Sequence, residues 1–258
     1  MSFIVIPLIA LIASILTFFS GFGLGTILLP VFTIYYPAPI AVGLTAMVHF
    51  LNNIFKIGLV YKHINWKVVL KFGIPSLIAA LLGAFLLERL SESTIELFSY
   101  QLNNHTFHIT LFKLLIGTLI IFFSLFEVIP YFKNLSFNES KLTIGGFLSG
   151  FFGGLSGHQG ALRSAFLVKL NLSKETFVAT GTAIACIVDI GRMSIYALTF
   201  NFAHVQNNST VIIIAVGAAF VGALIGNKLL KKTTLGVLKW FVTIFMVSIA
   251  LLMIFGIL

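Results

Sequence analysis

Long apolar runs separated by short polar stretches dominate the chain. Six of these runs are long enough to cross a hydrocarbon core, which requires roughly 20 apolar residues per helix: they cover 40–61, 68–87, 107–129, 177–200, 211–230 and 235–258. The strands of a membrane barrel would instead alternate apolar and polar residues over about 10 positions. The pattern therefore predicts an all-α polytopic membrane protein.

Glycines interrupt two further apolar segments. These read "LTFFSGFGLGTILLPVFTIYYPAP" near the start and "GGFLSGFFGGLSGHQGALRSAFLVKL" in the middle. In each segment one arm has only about eleven residues, too few to span a bilayer at a rise of about 1.5 Å per residue. We therefore predict two re-entrant hairpins that dip to mid-depth and return. Three crossings follow each hairpin, and because three is odd, the second half enters the membrane from the opposite side.

These elements predict two inverted repeats, each a broken re-entrant hairpin followed by three transmembrane helices. The first repeat covers 1–100, with its hairpin at 3–36 and helices at 39–61 and 66–88. Its last helix and a linker occupy 101–135. The second repeat covers 136–258, with its hairpin at 141–170 and helices at 174–200, 209–231 and 234–257. Broken helices within inverted repeats are typical of secondary transporters.

The two halves also align directly. Residues 77–87 match 220–230, which places Gly83 on Gly226, and residues 41–58 match 177–194. The second match places Asn53 on Asp189 and Lys56 on Arg192. Small residues at a spacing of four on both halves favour close approach of helices.

Positive charge is distributed unevenly between the ends of the predicted helices. If the N-terminus lies outside, the cytoplasmic ends carry Lys62, Lys67, Lys71, Lys133, Lys141, Lys169, Lys174, Lys228, Lys231, Lys232 and Lys239, whereas the outer ends carry Arg89 and Lys113. Cytoplasmic loops carry such an excess of lysine and arginine. The net charge of +9 therefore indicates orientation and not a nucleic-acid partner, and we expect a multi-pass protein of the cell (inner) membrane with both termini outside the cytoplasm.

The second hairpin carries the strongest candidate chemistry. Arg163 follows the "SGHQG" break by three residues, near the start of the short arm, where unpaired N–H groups and the helix dipole already favour an anion. A charged group at this depth costs at least ~2.5 kcal/mol and usually marks a substrate or ion path. His158 and Gln159 at the tip offer further polar contacts for an oxyanion. Pairing of Arg163 with Asp189 is the structural alternative.

The long helices after each hairpin add further polar residues. Asp189 and Arg192 lie one helical turn apart and form either an internal ion pair or part of the site. Lys56 either snorkels to the cytoplasmic helix end or stays inside, and three cations facing one carboxylate would call for a bound anion. The predicted substrate-binding set is Arg163, His158, Gln159, Gly157, Gly160, Gly23, Gly25, Thr26, Asn53, Asp189, Arg192 and His49.

The sequence gives less support to a metal site, a cofactor site or an enzyme. The six histidines show no HxxxH or HExxH spacing and the chain has one cysteine, so we expect no metal and no cofactor. The segment "GLSG" at 154–157 matches the GxSG pattern of intramembrane serine proteases, with Ser156 as nucleophile. That catalysis needs a general base, which His49 or His204 would have to supply. Because the motif fixes only three positions in a glycine-rich chain and His204 falls in a predicted loop, we do not expect an enzyme.

Several stretches resemble the sulfite exporter TauE/SafE family of membrane transporters, also called the toluene sulfonate uptake permease family. They are "GFGLGTILLP" and "YYPAPIAVGLTAM" in the first half and "GGLSGHQGALRSAFLVKLNLSKETFVATGTAI" in the second. The second half departs from the family pattern with His158, Gln159 and Arg163, and it has Ala165 about where Pro30 would fall. The resemblance implies secondary transport of a small sulfur-containing or organic anion, such as sulfite or a sulfonate.

We therefore expect a secondary transporter that moves a small anion across the lipid bilayer by alternating access. An anion channel and a membrane assembly factor are the alternatives from other functional classes. The sequence leaves open a coupling ion, either proton or sodium, and a homo-oligomeric assembly.

Overall fold

Helices account for most of the computed structural model, which describes residues 1–20, 23–92, 95–103, 105–129, 131, 136–199, 208–229 and 236–258. Within these ranges the α-helices are α1 (Ser2–Ser20), α2 (Leu24–Tyr35), α3 (Ala38–Val60), α4 (Trp66–Glu92), α5 (Leu111–Val128), α6 (Leu142–Ser156), α7 (Gly160–Leu167), α8 (Lys174–Thr199), α9 (Ser209–Leu229) and α10 (Gly236–Ile254). Short 3-10 turns lie at Tyr61–His63, Glu139–Lys141 and Val168–Leu170. Of the lysines used above to orient the chain, Lys133, Lys231 and Lys232 lie outside the described residues.

Four helices are long and apolar enough to cross a membrane: the stretches Pro39–His63, Trp66–Glu92, Lys174–Leu198 and Ser209–Lys228. Shorter apolar stretches lie at Ser2–Phe18, Leu24–Tyr35, Leu111–Phe126 and Thr243–Ile254. The prediction of a helical membrane protein is confirmed. Two of the six predicted full crossings, α5 and α10, have shorter apolar stretches among the described residues than the sequence pattern suggested.

The expectation of an all-α fold is wrong between α4 and α5. Strands β1 (Glu96–Leu102) and β2 (His105–Thr110) form an antiparallel hairpin with Tyr100 opposite Phe107. Apolar and polar residues alternate along "FSYQL" at 98–102, as expected for a strand, and the Tyr100 and Phe107 rings stack with centroids 5.2 Å apart. Helix α5 consequently begins at Leu111, after Thr110, and not at 107.

Both hairpin-like segments are two helices joined at a glycine with positive φ. Gly23 between α1 and α2 has φ 110°, and Gly157 between α6 and α7 has φ 80°. An L-residue with a side chain rarely adopts this conformation, so these glycines permit the turns. The second arms are short: α2 has 12 residues and α7 has 8.

Glycines also set the closest helix contacts. Along α6, a methyl group at Gly146, Gly150 or Gly154 would overlap with a carbonyl oxygen of α4. Gly222 of α9 is equally tight against the Leu11 carbonyl of α1. Because backbone touches backbone, the pairs α4–α6 and α1–α9 pack at short range. The hydroxyl of Ser76 on α4 reinforces the first seam by donating to the Gly146 carbonyl at 2.8 Å.

The centre of the molecule is formed by α3 and α8, with the two glycine turns beside them. These helices run antiparallel, since the backbone N–H of Asn65, just beyond α3, donates to Thr180 near the start of α8 at 3.0 Å. Helix α5 packs on α10, and the β-hairpin is tied to the end of α10 by the Tyr100 hydroxyl, which donates to the Phe255 carbonyl at 2.8 Å. A group of buried polar and charged residues lies where α3, α8 and the turns meet: His49, Asn53, Gln159, Asp189 and Arg192.

Candidate functional site

A fully buried carboxylate, that of Asp189 on α8, organises the interior. Its Oδ2 accepts from His49 Nδ1 at 2.8 Å and from Asn53 Nδ2 at 3.1 Å. Its Oδ1 accepts from Arg192 Nη2 at 2.8 Å and Nε at 3.0 Å, and from Gln159 Nε2 at 3.4 Å. We call His49, Asn53, Gln159, Asp189 and Arg192 the Asp189 cluster. An ionised carboxylate accepts about four hydrogen bonds, so this one is saturated.

Helical spacing explains how three elements converge on Asp189. His49 and Asn53 are four residues apart on α3, so both side chains lie on one face. Asp189 and Arg192 are three residues apart on α8, which allows the ion pair. Gln159 arrives from the N-cap of α7. The internal Asp189–Arg192 pair considered from the sequence is therefore present, and it connects to both halves of the chain.

Arg163 lies beside this cluster and is joined to it through Gln159. Its Nη1 donates to Gln159 Oε1 at 3.2 Å, while the amide nitrogen of the same glutamine reaches Asp189. Arg163 is 2% exposed, and its guanidinium lies against Gly181 of α8. Asp189 is paired with Arg192 at 2.8 Å, and Arg163 is linked to the same carboxylate through Gln159.

His158 sits at the tip of the second hairpin with one ring nitrogen available. The side chain is 2% exposed and its ring stacks on Phe123 of α5, with centroids 5.6 Å apart. Nδ1 lies 3.1 Å from the Ser156 hydroxyl, whereas the buried Nε2 has no hydrogen-bond partner among the described residues. A buried polar atom of this kind is costly unless a ligand or water satisfies it.

The glycine turns come close to each other around His49. An added Cβ at Gly25 would lie 3.5 Å from the His49 ring and 3.9 Å from the Gly157 carbonyl oxygen. One at Gly157 would lie 3.0 Å from Arg192 Nη1. The structure thus brings the two predicted tips together beside the Asp189 cluster. The remaining residues of the predicted set, Gly23, Thr26 and Gly160, lie at the starts of the short arms.

The buried charges do not balance. Among the described residues, the buried charged side chains are Lys56, Arg163, Arg192 and Asp189. Lys56 is 4% exposed and its ammonium lies over the Phe18 ring, 5.5 Å from the centroid. The suggestion that Lys56 snorkels to the helix end is therefore wrong. The predicted site set omitted Lys56, although the spacing of His49, Asn53 and Lys56 places all three on one face of α3.

The geometry gives no support to the protease reading. The Ser156 hydroxyl donates to the Phe152 carbonyl at 3.1 Å, and the histidine beside it is His158. Of the two candidate bases, His49 is bonded to Asp189, and His204 lies outside the described residues. In the part of the chain that the structure describes, no group of three or more His, Cys, Asp or Glu residues could hold a metal ion.

A separate cleft lies at the far end of α2, beside the β-hairpin. Its volume is about 520 Å³. Its lining combines residues from α2, α4, α5 and the hairpin, including Thr33, Ser91, Glu96, Thr110 and Lys113. The short arm α2 therefore runs from the glycine turns at the centre to a cleft near the surface.

Comparison with known proteins identifies one relationship. Neither the search of curated proteins nor the search of solved structures gave a significant match. The model of the sulfite exporter TauE/SafE family matches residues 6–253, nearly the whole chain and both glycine turns. The residues that suggested the resemblance all lie within this match. The chain belongs to the sulfite exporter TauE/SafE family of membrane transporters.

Proposed function

We propose that the protein moves a small oxyanion across the membrane, a sulfur-containing or organic anion such as sulfite or a sulfonate, by alternating access. One observation carries the proposal: among the described residues, the interior around the two broken helices holds three buried cations, Lys56, Arg163 and Arg192, and one buried carboxylate, Asp189. Uncompensated charge in a membrane interior is expensive. An anionic substrate would supply the missing negative charge, and the family relationship supports transport as the purpose of the site.

The proposed ligands are Arg163, His158 and the start of α7. Arg163 supplies charge-assisted hydrogen bonds, which are the stronger kind. His158 Nε2 supplies a polar atom that the described residues leave unsatisfied, and the first N–H groups of α7 lie next to it in the chain. Gln159 and the Asp189 cluster hold Arg163 in place, while Gly23, Gly25 and Thr26 close the site from the first hairpin.

We further propose that the chain consists of the two inverted repeats predicted above. Support comes from the exchange of helix partners: the long arm α1 packs on α9 of the other half, and α6 packs on α4 of the first half. Asn53 and Asp189, which occupy equivalent positions in the alignment, hydrogen-bond to each other. With lysines marking the inner side, both termini would face outward from the cell membrane.

In this mechanism the α4–α6 and α1–α9 pairs rock against each other around the fixed site. Backbone contact at glycines makes each pair stiff, whereas α3 and α8 meet through longer side chains at the Asp189 cluster. The cleft at the end of α2 would then serve as the outer approach to the site. A gradient of either protons or sodium ions would drive transport. In this proposal the coupling ion acts on the carboxylate of Asp189.

Removal of the Arg163 charge tests the site. We expect Arg163→Gln to weaken oxyanion binding by about 30-fold or more, since loss of one partner of a buried charged contact costs about 2–5 kcal/mol. The measurement is thermal unfolding of purified protein with sulfite, sulfate, methanesulfonate and acetate. At 100 times its dissociation constant a ligand stabilises by about 2.7 kcal/mol. At the same concentration the stabilisation of the variant should fall to about 0.9 kcal/mol or less.

Lys169→Gln provides the matched control, because Lys169 is an exposed cation at the end of the same hairpin. It should retain the full shift. Equal stabilisation of wild type and Arg163→Gln by the same anion would contradict the assignment of Arg163.

Flux measurements in liposomes distinguish the proposed carrier from the alternatives. Saturable flux with counter-transport would support a carrier, and flux proportional to concentration would support a channel. Absence of both flux and binding would support an assembly factor.

A further inference from the structure

Lys56 is a buried cation with no countercharge in the part of the chain that the structure describes. No described carboxylate oxygen lies within 4.0 Å of its ammonium. The Lys56 ammonium lies over the Phe18 ring. This cation–π contact satisfies little of the hydrogen-bonding capacity of the three N–H donors. An anion that entered the interior beside Lys56 would supply the missing countercharge.

Asn52 supplies a second unsatisfied donor on the same face of α3. Its side chain is fully buried, and Nδ2 has no hydrogen-bond partner among the described residues. Its Oδ1 accepts from Ser14 of α1 at 3.2 Å. Asn52 and Lys56 are four residues apart, and so are Ser14 and Phe18 opposite them. Asn52 and Lys56 therefore place two polar donors one helical turn apart on α3.

Lys56 lies at a different depth from the Asp189 cluster, whereas Asn52 is level with Asn53, its neighbour in the chain. Lys56 is seven residues beyond His49 along α3, or about 10 Å at the helical rise. Gly181, against which Arg163 rests, is eight residues before Asp189 on the antiparallel α8, or about 12 Å in the same direction. Lys56 and Arg163 are thus level with each other, on the side of the cluster where α3 ends at Val60.

We propose that Lys56 and Asn52 form a second anion-binding station on α3, which extends from the level of the Asp189 cluster to the level of Arg163. The ligand class is an oxyanion with at least two acceptor oxygens, so that one molecule can contact both stations or pass from one to the other. All open groups here are donors, which selects for an acceptor-rich, negatively charged ligand. The inference rests on the proposed function, and it adds a ligand set contributed by the first half of the chain.

The test is equilibrium binding of radiolabelled sulfite and sulfate to the full-length protein in detergent. We expect Lys56→Met to weaken binding at least ten-fold, and Lys56→Arg, which keeps the charge, to stay within about three-fold of wild type. Asn52→Asp should weaken binding comparably to Lys56→Met, because the new carboxylate would pair with Lys56 and occupy the station. Asn52→Leu should give a smaller loss, since it removes a donor and leaves the charge.

Unfolding temperatures without anion separate binding effects from misfolding. Lys56→Met should be at least as stable as wild type, because it removes an uncompensated buried charge. Wild-type affinity in Lys56→Met would overturn the second station; if Arg163→Gln still lost binding, the proposed function would stand without it. If the wild type bound none of sulfite, sulfate, methanesulfonate or acetate, both proposals would fall.

Discussion

Replacing Asp189 by asparagine is expected to abolish transport and to lower the free energy of unfolding by about 3–5 kcal/mol. The carboxylate accepts from residues of α3, α7 and α8 at once. An amide of the same size keeps the volume but cannot compensate Arg192, which is 1% exposed. The NH₂ group of asparagine would also be a donor, placed against N–H donors that now bind a carboxylate oxygen. Thermal unfolding and anion uptake into liposomes measure the two effects.

A double variant separates the structural contribution of Asp189 from its functional one. Asp189→Asn combined with Arg192→Met removes both charges, and a buried ion pair replaced by uncharged groups costs little stability. We expect the double variant to regain most of the lost stability and none of the transport. Glu139→Gln is the control, since that carboxylate pairs with Lys71 at the surface at 3.6 Å and should change stability by less than about 1 kcal/mol. Recovery of transport in the double variant would make the cluster merely structural.

Substituting Gly150 by valine is expected to prevent α6 from packing on α4, so that little folded protein is recovered. Even a Cβ at this position would overlap with the Ser76 carbonyl oxygen and lie 2.5 Å from its Cα. The obstacle is backbone, so no change of side-chain rotamer can relieve it. Overpacking in an adaptable core costs about 1–3 kcal/mol, and this seam cannot adapt without separating the helices. Size-exclusion profiles and unfolding temperatures measure the outcome.

Gly217 provides the matched control for Gly150. It also lies within an apolar helix, α9, but a Cβ there would meet nothing within 4 Å. Gly217→Ala should therefore be neutral or stabilise by up to about 1 kcal/mol, the helix propensity difference. If Gly150→Ala and Gly217→Ala unfolded at the same temperature, the contact between α4 and α6 would be looser than the packing indicates.

Membrane class and helix interruptions could be predicted because each depends on local sequence. Apolar length identifies spanning helices, and glycine clusters mark where the backbone turns. The β-hairpin was missed because the apolar residues of β2 run directly into those of α5, so one apolar stretch hid two elements. Only the alternation from Phe98 to Leu102 distinguishes the strand, and a five-residue pattern is a weak signal next to a long apolar helix.

The candidate site was only partly predictable. Spacing on one helix indicated the pair Asp189–Arg192, but the contact of His49 with Asp189 joins residues far apart in the sequence, and no local pattern encodes it. Lys56 was open to two readings because distance to a helix end says nothing about which neighbours surround a side chain. The spacing of Gly146, Gly150 and Gly154 could have identified the tight face of α6, although not its partner.

The exchange of partners between the halves also has a consequence for biogenesis. Helix α1 packs on α9, and roughly 190 residues separate the end of one from the start of the other. At about 5–20 residues per second, the ribosome needs about 10–40 s to complete that interval. During this time the face of α1 that meets Gly222 and Gly226, formed by Leu11, Ser14, Ile15 and Phe18, lacks its final partner. The newly inserted N-terminal half is therefore expected to depend on lipid or on the insertion machinery to shield that face until α9 is synthesised.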